Sequence, residues 1–283
     1  MTIRPLNQDG MSTPHAAVPF DRVASGHSPR AMETAMPPLD IVDAKLHWDL
    51  SRYAYREEAR AQRAVESKGL TWSRFYTKQQ STQAFTCTDG TRTLVAFRGS
   101  EAQPIDWIRN AEFAAEPGEL GGSVHSGHHR ALTEVWDDME LDIVGVGLPV
   151  VVTGHSLGAA LATLAAARLT EANVTVNAVY TFWQPRIGKG DFQRVYDERL
   201  GDATFRFVNH IDLVTRVPFL TLGYRHIGRR MYFNEAGTFV PDAGTWAVAR
   251  DDIIYRLRHF GKIQAIGLDP HFIPAYTERM GNL

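Results

Sequence analysis

From Asp40 to about Glu66, Ile41, Leu46, Leu50, Tyr53 and Ala54 recur at helical spacing among alternating charges, which predicts one amphipathic helix. The pattern then shifts to short runs rich in β-branched and aromatic residues: R-F-Y (74–76), Q-A-F-T-C-T (83–88), T-L-V-A-F-R (93–98), P-V-V-V-T (149–153), V-N-A-V-Y-T-F-W (176–183) and T-F-R-F-V-N (204–209). Helical stretches around Leu132 to Val144 and Gly190 to Leu200 separate the later runs. Strands that alternate with helices and are apolar on both faces predict an α/β fold, a mostly parallel central sheet with helices on both faces. Residues 1–38, rich in Pro, Ser, Ala and His and ending in Met36-Pro37-Pro38, carry neither period and are expected to form an extended N-terminal arm. No internal repeat or linker interrupts the chain beyond Pro38, so residues 39–283 are expected to be a single domain.

Composition narrows the function classes. Lys plus Arg number 30 against 32 for Asp plus Glu, a net charge of −2, so no global attraction to nucleic acid or anionic lipid is expected. Cys87, the one cysteine, cannot form an intramolecular disulfide and reads as a small buried side chain. The first 30 residues lack a secretory apolar core, and no stretch reaches the roughly 18 apolar residues of a membrane span. The expectation is a soluble chain without a Sec signal, either cytoplasmic or exported by a non-Sec route. Residues 246–263 set Ile253, Ile254, Leu257 and Phe260 among Arg250, Arg256, Arg258 and Lys262, the pattern of a scaffold helix with a solvated face; it also suits a membrane surface.

The chemistry concentrates in V-V-V-T-G-H-S-L-G-A-A-L-A-T-L-A-A-A (150–167). An apolar strand, G-x-S-x-G and an immediate alanine-rich helix describe a sharp strand-to-helix turn that presents Ser156 at a helix N-terminus, where N–H groups and the helix dipole favour developing negative charge. That makes Ser156 the candidate nucleophile. In such folds the acid and then the base follow the serine in chain order. Asp212, just after the strong strand at 204–209, is the candidate acid. Of the later histidines, His210 adjoins the acid segment and His259 lies in a basic helical run, so His226 and His271 both remain as bases. The backbone N–H of Leu157 would be one oxyanion donor, and Ser100, after L-V-A-F-R-G, can supply the other through N–H and Oγ. No H-E-x-x-H or similar spacing points to a metal, and no cofactor is expected.

Taken together, V-A-F-R-G-S, D-W-I (106–108), S-V-H-S-G (123–127), V-T-G-H-S-L-G-A-A-L-A, T-F-W-Q-P-R-I-G (181–188), V-N-H-I-D-L-V-T-R-V-P (208–218), Y-R-H-I-G (224–228) and D-P-H-F-I-P-A-Y (269–276) resemble the class 3 lipases of the filamentous-fungal triacylglycerol type, in family order over roughly residues 40 to 280. The resemblance implies an α/β-hydrolase fold with a short helical lid, and hydrolysis of carboxylic esters, acyl glycerols foremost, without metal or cofactor. It makes Ser156, Asp212 and His271 the catalytic set and Ser100 and Leu157 the oxyanion donors, and it assigns His226 to a structural segment. It places Ile105, Trp107, Ile108 and Phe113 in the lid and Trp183 at the substrate pocket, and implies transient contact with a lipid–water interface. An esterase or phospholipase of the same family, or a catalytically silent lipase-like interaction protein, is the alternative. This chain departs from the family in Trp183, where glycine is usual, in Ala159, in Arg229-Arg230 as a local basic patch, in Pro270 beside His271, and in having no disulfide.

Overall fold

The computed structural model describes residues 38–78, 82–100, 114–210, 215, 218, 220–258 and 273–283. The arm expected over 1–38 therefore lies, except for Pro38, outside the described residues. All described residues belong to one compact unit beginning at Met36.

In chain order the elements are α1 (Ile41–Tyr53), α2 (Glu58–Glu66), β1 (Thr71–Lys78), β2 (Thr82–Thr88), β3 (Thr93–Phe97), β4 (Ala115–Pro117), β5 (Ser123–His125), α3 (Ser126–Val146), β6 (Val150–His155), α4 (Leu157–Glu171), β7 (Val176–Phe182), β8 (Gly188–Lys189), α5 (Gly190–Tyr196), β9 (Thr204–Asn209), β10 (Tyr224–Arg225), β11 (Arg229–Phe233), β12 (Phe239–Val240), α6 (Thr245–Arg258) and α7 (Ile273–Gly281). An eight-stranded sheet runs β1-β2-β3-β6-β7-β9-β11-β12. Strands β3, β6, β7, β9 and β11 are parallel to one another, and antiparallel strands flank them at both edges. A smaller sheet, β10-β8-β5-β4, gathers strands too short to show a period in the sequence.

The inner strands bury both faces. Val95 and Phe97 of β3 and Val150 and Val152 of β6 pack with Leu132, Trp136, Leu161 and Leu164 of α3 and α4. The alternate residues Leu94, Ala96 and Val151 face the other way, onto Trp48 and Leu50 of α1 and Tyr276 of α7. This period of two places a helical layer on each face, as the apolar runs predict. Alanines Ala159, Ala160, Ala162, Ala165, Ala166 and Ala167 are all buried, so α4 lies close against the sheet with little side-chain entropy lost. Cys87 is fully buried, and burial pushes its thiol up to about 12.

Two expectations change. The single helix read over 40–66 is two helices: α1 ends at Tyr53 and the chain turns before α2. No Gly or Pro marks the break, and its cause is tertiary, since the turn lets Tyr55 reach His155 with a hydroxyl-to-Nδ1 distance of 2.6 Å. The basic patch at Arg229-Arg230 is halved, because Arg229 makes a bidentate pair with Asp242 at 2.8 and 2.7 Å, while Arg230 donates to the uncharged Ala243 carbonyl at 3.4 Å. Helix α6 docks through Val248 on Val208, Tyr232 and Ala243, while Trp246 stays 89% exposed.

Candidate active site

Strand β6 delivers Ser156 to the carboxyl end of the sheet. The residue has φ +58° and ψ −123° and caps the N-terminus of α4. A side chain at positive φ is strained, so this conformation persists only where its surroundings fix it. The strand and helix nearly touch: a Cβ on Gly154 would lie 2.1 Å from the Gly158 carbonyl oxygen, and one on Gly158 would lie 2.4 Å from that of Phe97. Ser156 N–H donates to the Phe182 carbonyl at 2.9 Å, and the Ser156 carbonyl accepts from Ala159 N–H at 3.0 Å. Leu157 is the first helical residue, and its N–H is among the donors that a helix start leaves without an intrahelical acceptor. Such donors, beside a half-buried hydroxyl, suit the charge of a tetrahedral oxyanion.

The loop after β3 comes up against this turn. A Cβ on Gly99 would sit 3.2 Å from Ser156 Cβ, 2.5 Å from the His155 carbonyl oxygen and 2.1 Å from the Tyr55 hydroxyl. Only glycine fits, and Ser100 follows it directly, half-buried. Arg98 anchors the loop to β2, its N–H donating to the Gln83 carbonyl at 2.9 Å and its guanidinium to the Gln83 side chain. Ser156, Leu157 and Ser100 are thus brought into one neighbourhood.

Around them the structure joins Trp183 to two residues that the sequence did not single out, Tyr55 and Tyr276. Tyr55 bonds the His155 ring, and Trp183 packs on the same ring with centroids 4.6 Å apart. Trp183 is fully buried and has φ +63°. Tyr276 of α7 meets the indole edge-on at 4.1 Å. Tyr55 was hidden inside a helical pattern and Tyr276 closed the motif D-P-H-F-I-P-A-Y without a role of its own; nothing local in either stretch suggests that they converge.

Asp212 and His271, and the lid residues Ile105, Trp107, Ile108 and Phe113, lie outside the described residues. Their chain neighbours are placed: β9 ends at Asn209, shortly before Asp212, and α7 begins at Ile273, directly after the His271 segment. His226 lies between β10 and β11. Burial and the guanidinium groups of Arg206, Arg186 and Arg230 hold its imidazole well below the ordinary histidine range. Arg206, itself buried, is pushed down to about 9 by desolvation and by Arg230. Among the described residues no His, Cys, Asp and Glu side chains cluster as a metal site, and no helix is long and apolar enough to cross a membrane.

The profile of the class 3 lipases matches residues 94–222, a span that includes Ser100, Ser156 and Asp212. A secreted mono- and diacylglycerol lipase 1 of Fusarium solani is 34% identical over 152 residues, 50% of this chain and 45% of that protein. A secreted mono- and diacylglycerol lipase A of Penicillium cyclopium is 34% identical over 174 residues, 58% of this chain and 56% of that one. The chain thus spans about half the length of these curated relatives. The solved Rhizomucor miehei triacylglyceride lipase matches with a TM-score of 0.62 at 22% identity, over 71% of this chain and 83% of that one, a likeness of fold. These comparisons also correct the expectation of a cytoplasmic or non-Sec-exported chain: the Fusarium and Penicillium relatives are named as secreted proteins, which points to export. That expectation rested on the lack of a secretory apolar core in the first 30 residues.

Proposed function

We propose that this chain, whose residues 94–222 match the class 3 lipases, is a serine carboxylic ester hydrolase, acting outside the cell on acyl glycerol esters. Residues 39–283 form its catalytic domain. The observation that carries the reading is Ser156 at positive φ on a helix N-terminus, with the Gly99-Ser100 loop against it. Ser156 Oγ attacks the ester carbonyl while His271, oriented by Asp212, accepts its proton. Leu157 N–H and Ser100 stabilise the oxyanion. His271 then gives the proton to the leaving alcohol, and water discharges the acyl-enzyme with the roles reversed.

The choice of His271 over His226 has an electrostatic reason besides chain order. A general base becomes an imidazolium during the reaction, and three guanidinium groups oppose that charge on His226. The segment 101–113, with Ile105, Trp107, Ile108 and Phe113, supplies the apolar cover over the nucleophile, and transient contact with a lipid–water interface moves it aside.

Hydrolysis of p-nitrophenyl esters by the parent and by Ser156→Ala tests the reading. The substitution is expected to lower kcat by roughly 10⁶-fold. Equal, near-background rates in both would leave the alternative of a silent interaction protein. A series from short to long acyl chains, with and without an emulsion, separates an esterase profile from a lipase profile.

A further inference from the structure

Trp183 directly follows β7, the strand that lies between β6 and β9 in the sheet. Those two neighbours lead to Ser156 and to Asp212, and α7 follows His271. The residue contacts all of these supports. Its indole packs at 4.6 Å on His155, the residue before the nucleophile. Its backbone N–H donates to the Phe207 carbonyl of β9 at 3.2 Å. Tyr276 of α7 meets the indole at 4.1 Å with an interplanar angle of 82°, and donates its hydroxyl to the same Phe207 carbonyl at 3.1 Å. The peptide just before Trp183 accepts the Ser156 N–H.

A bulky residue at φ +63° is a genuine outlier, and glycine would hold this backbone without strain. Strain of this kind survives where the surrounding packing over-determines it, and it gathers at functional sites. Here the over-determination is an aromatic cage with no exposed surface. The indole is too buried to wall a substrate groove directly, so its effect passes through what it touches.

We infer that Trp183 is a positioning residue for the acyl-transfer site: its buried indole holds the nucleophile turn, the strand that precedes the acid in the chain and the helix that follows the base in one register. The inference rests on Ser156, Asp212 and His271 being the catalytic set. In this role the indole acts through the groups it packs against. It fixes distances, and a displacement near 1 Å between reacting groups can cost about 10²-fold in rate.

The test uses the full chain and three variants, Trp183→Gly, Trp183→Phe and Ser156→Ala, assayed on a soluble short-chain p-nitrophenyl ester with and without added indole. Trp183→Gly is expected to lower kcat by about tenfold or more while KM stays within about twofold, because alignment rather than binding is lost. Free indole, refilling the cavity, should recover most of that kcat, and Trp183→Phe should fall between parent and glycine variant. The rate at which a fluorophosphonate labels Ser156 should drop in parallel. A kcat within about twofold of the parent, or a fall that indole leaves untouched, overturns the inference. If Trp183→Gly does not fold, Trp183→Phe decides alone: reduced kcat at constant KM supports the brace, and parental kcat overturns it. Parental activity in Ser156→Ala would instead overturn the catalytic set, which keeps the two failures apart.

Discussion

Strands β6 and β7 lie side by side, run the same way, and are each followed by a non-glycine residue at positive φ, Ser156 at +58° and Trp183 at +63°. The surroundings of the two turns differ. At Ser156 the strain is framed by glycines, with Gly154 and Gly158 allowing strand and helix to meet and the small hydroxyl left half-buried. At Trp183 no glycine helps, and the conformation is held by aromatic packing on a side chain with no exposed surface. One turn is strained so that a small group can point outward; the other is strained so that a large group can stay inside. The first is a device for exposure and the second a device for rigidity, and substitutions at each should respond in opposite ways.

The largest effect is expected where packing holds the strain. Removing a buried indole usually costs about 3–5 kcal/mol, and Trp183→Ala should fall in that range by denaturant unfolding. Glycine at a core position is ordinarily the worse truncation, since it loses a further methyl and adds freedom to the unfolded chain. At positive φ it also removes strain of order 1–3 kcal/mol. Trp183→Gly is therefore expected to be at least as stable as Trp183→Ala. A glycine variant clearly weaker than the alanine one would mean that Trp183 sits in its backbone conformation at no cost, and the comparison with Ser156 would fail.

Next in size come the glycines of the serine turn. A methyl on Gly154 would lie 2.1 Å from the Gly158 carbonyl oxygen and 2.8 Å from Ala159 N, atoms that belong to backbone and cannot swing away. Gly154→Ala should push β6 and α4 apart, with an overpacking cost of about 1–3 kcal/mol and a larger proportional loss of kcat than of stability. Differential scanning with parallel ester kinetics checks both. Parental kcat in a folded Gly154→Ala would show that the turn tolerates a shift, and that close contact there is packing alone.

The two turns were unequally legible in the sequence for the same physical reason. Glycine announces a close approach, so G-H-S-L-G led to Ser156, and V-A-F-R-G-S led to the Ser100 loop, whose Gly99 meets Tyr55 and His155. The apolar inner strands, buried on both faces, gave the parallel sheet. Tryptophan announces nothing about φ, so the strain at residue 183 was invisible, although its departure from the family pattern drew notice. The break after Tyr53 was equally hidden, because a contact a hundred residues away, Tyr55 to His155, causes it rather than any local signal. Strands β10 and β12, two residues each, are too short to carry a period.

The smallest expected effect separates strain from chemistry most cleanly. Ser156 is half-buried and its side chain fills little volume, so replacing it by glycine removes almost no packing while releasing the backbone at φ +58°. The unfolded chain gains some freedom, which offsets part of the gain. Ser156→Gly is therefore expected to raise stability by about 1 kcal/mol while abolishing ester hydrolysis. Ser156→Ala keeps a Cβ at the same φ and should lose the activity without that gain. The pair, measured by urea unfolding at one pH, reads the strain directly, since both variants lack the hydroxyl and differ only by a methyl. A Ser156→Gly variant less stable than Ser156→Ala by the roughly 0.4–1 kcal/mol that glycine's chain freedom costs would mean that the turn holds Ser156 without strain, and that positive φ after β6 and β7 reflects the geometry of the sheet's carboxyl end rather than stored energy at a working site.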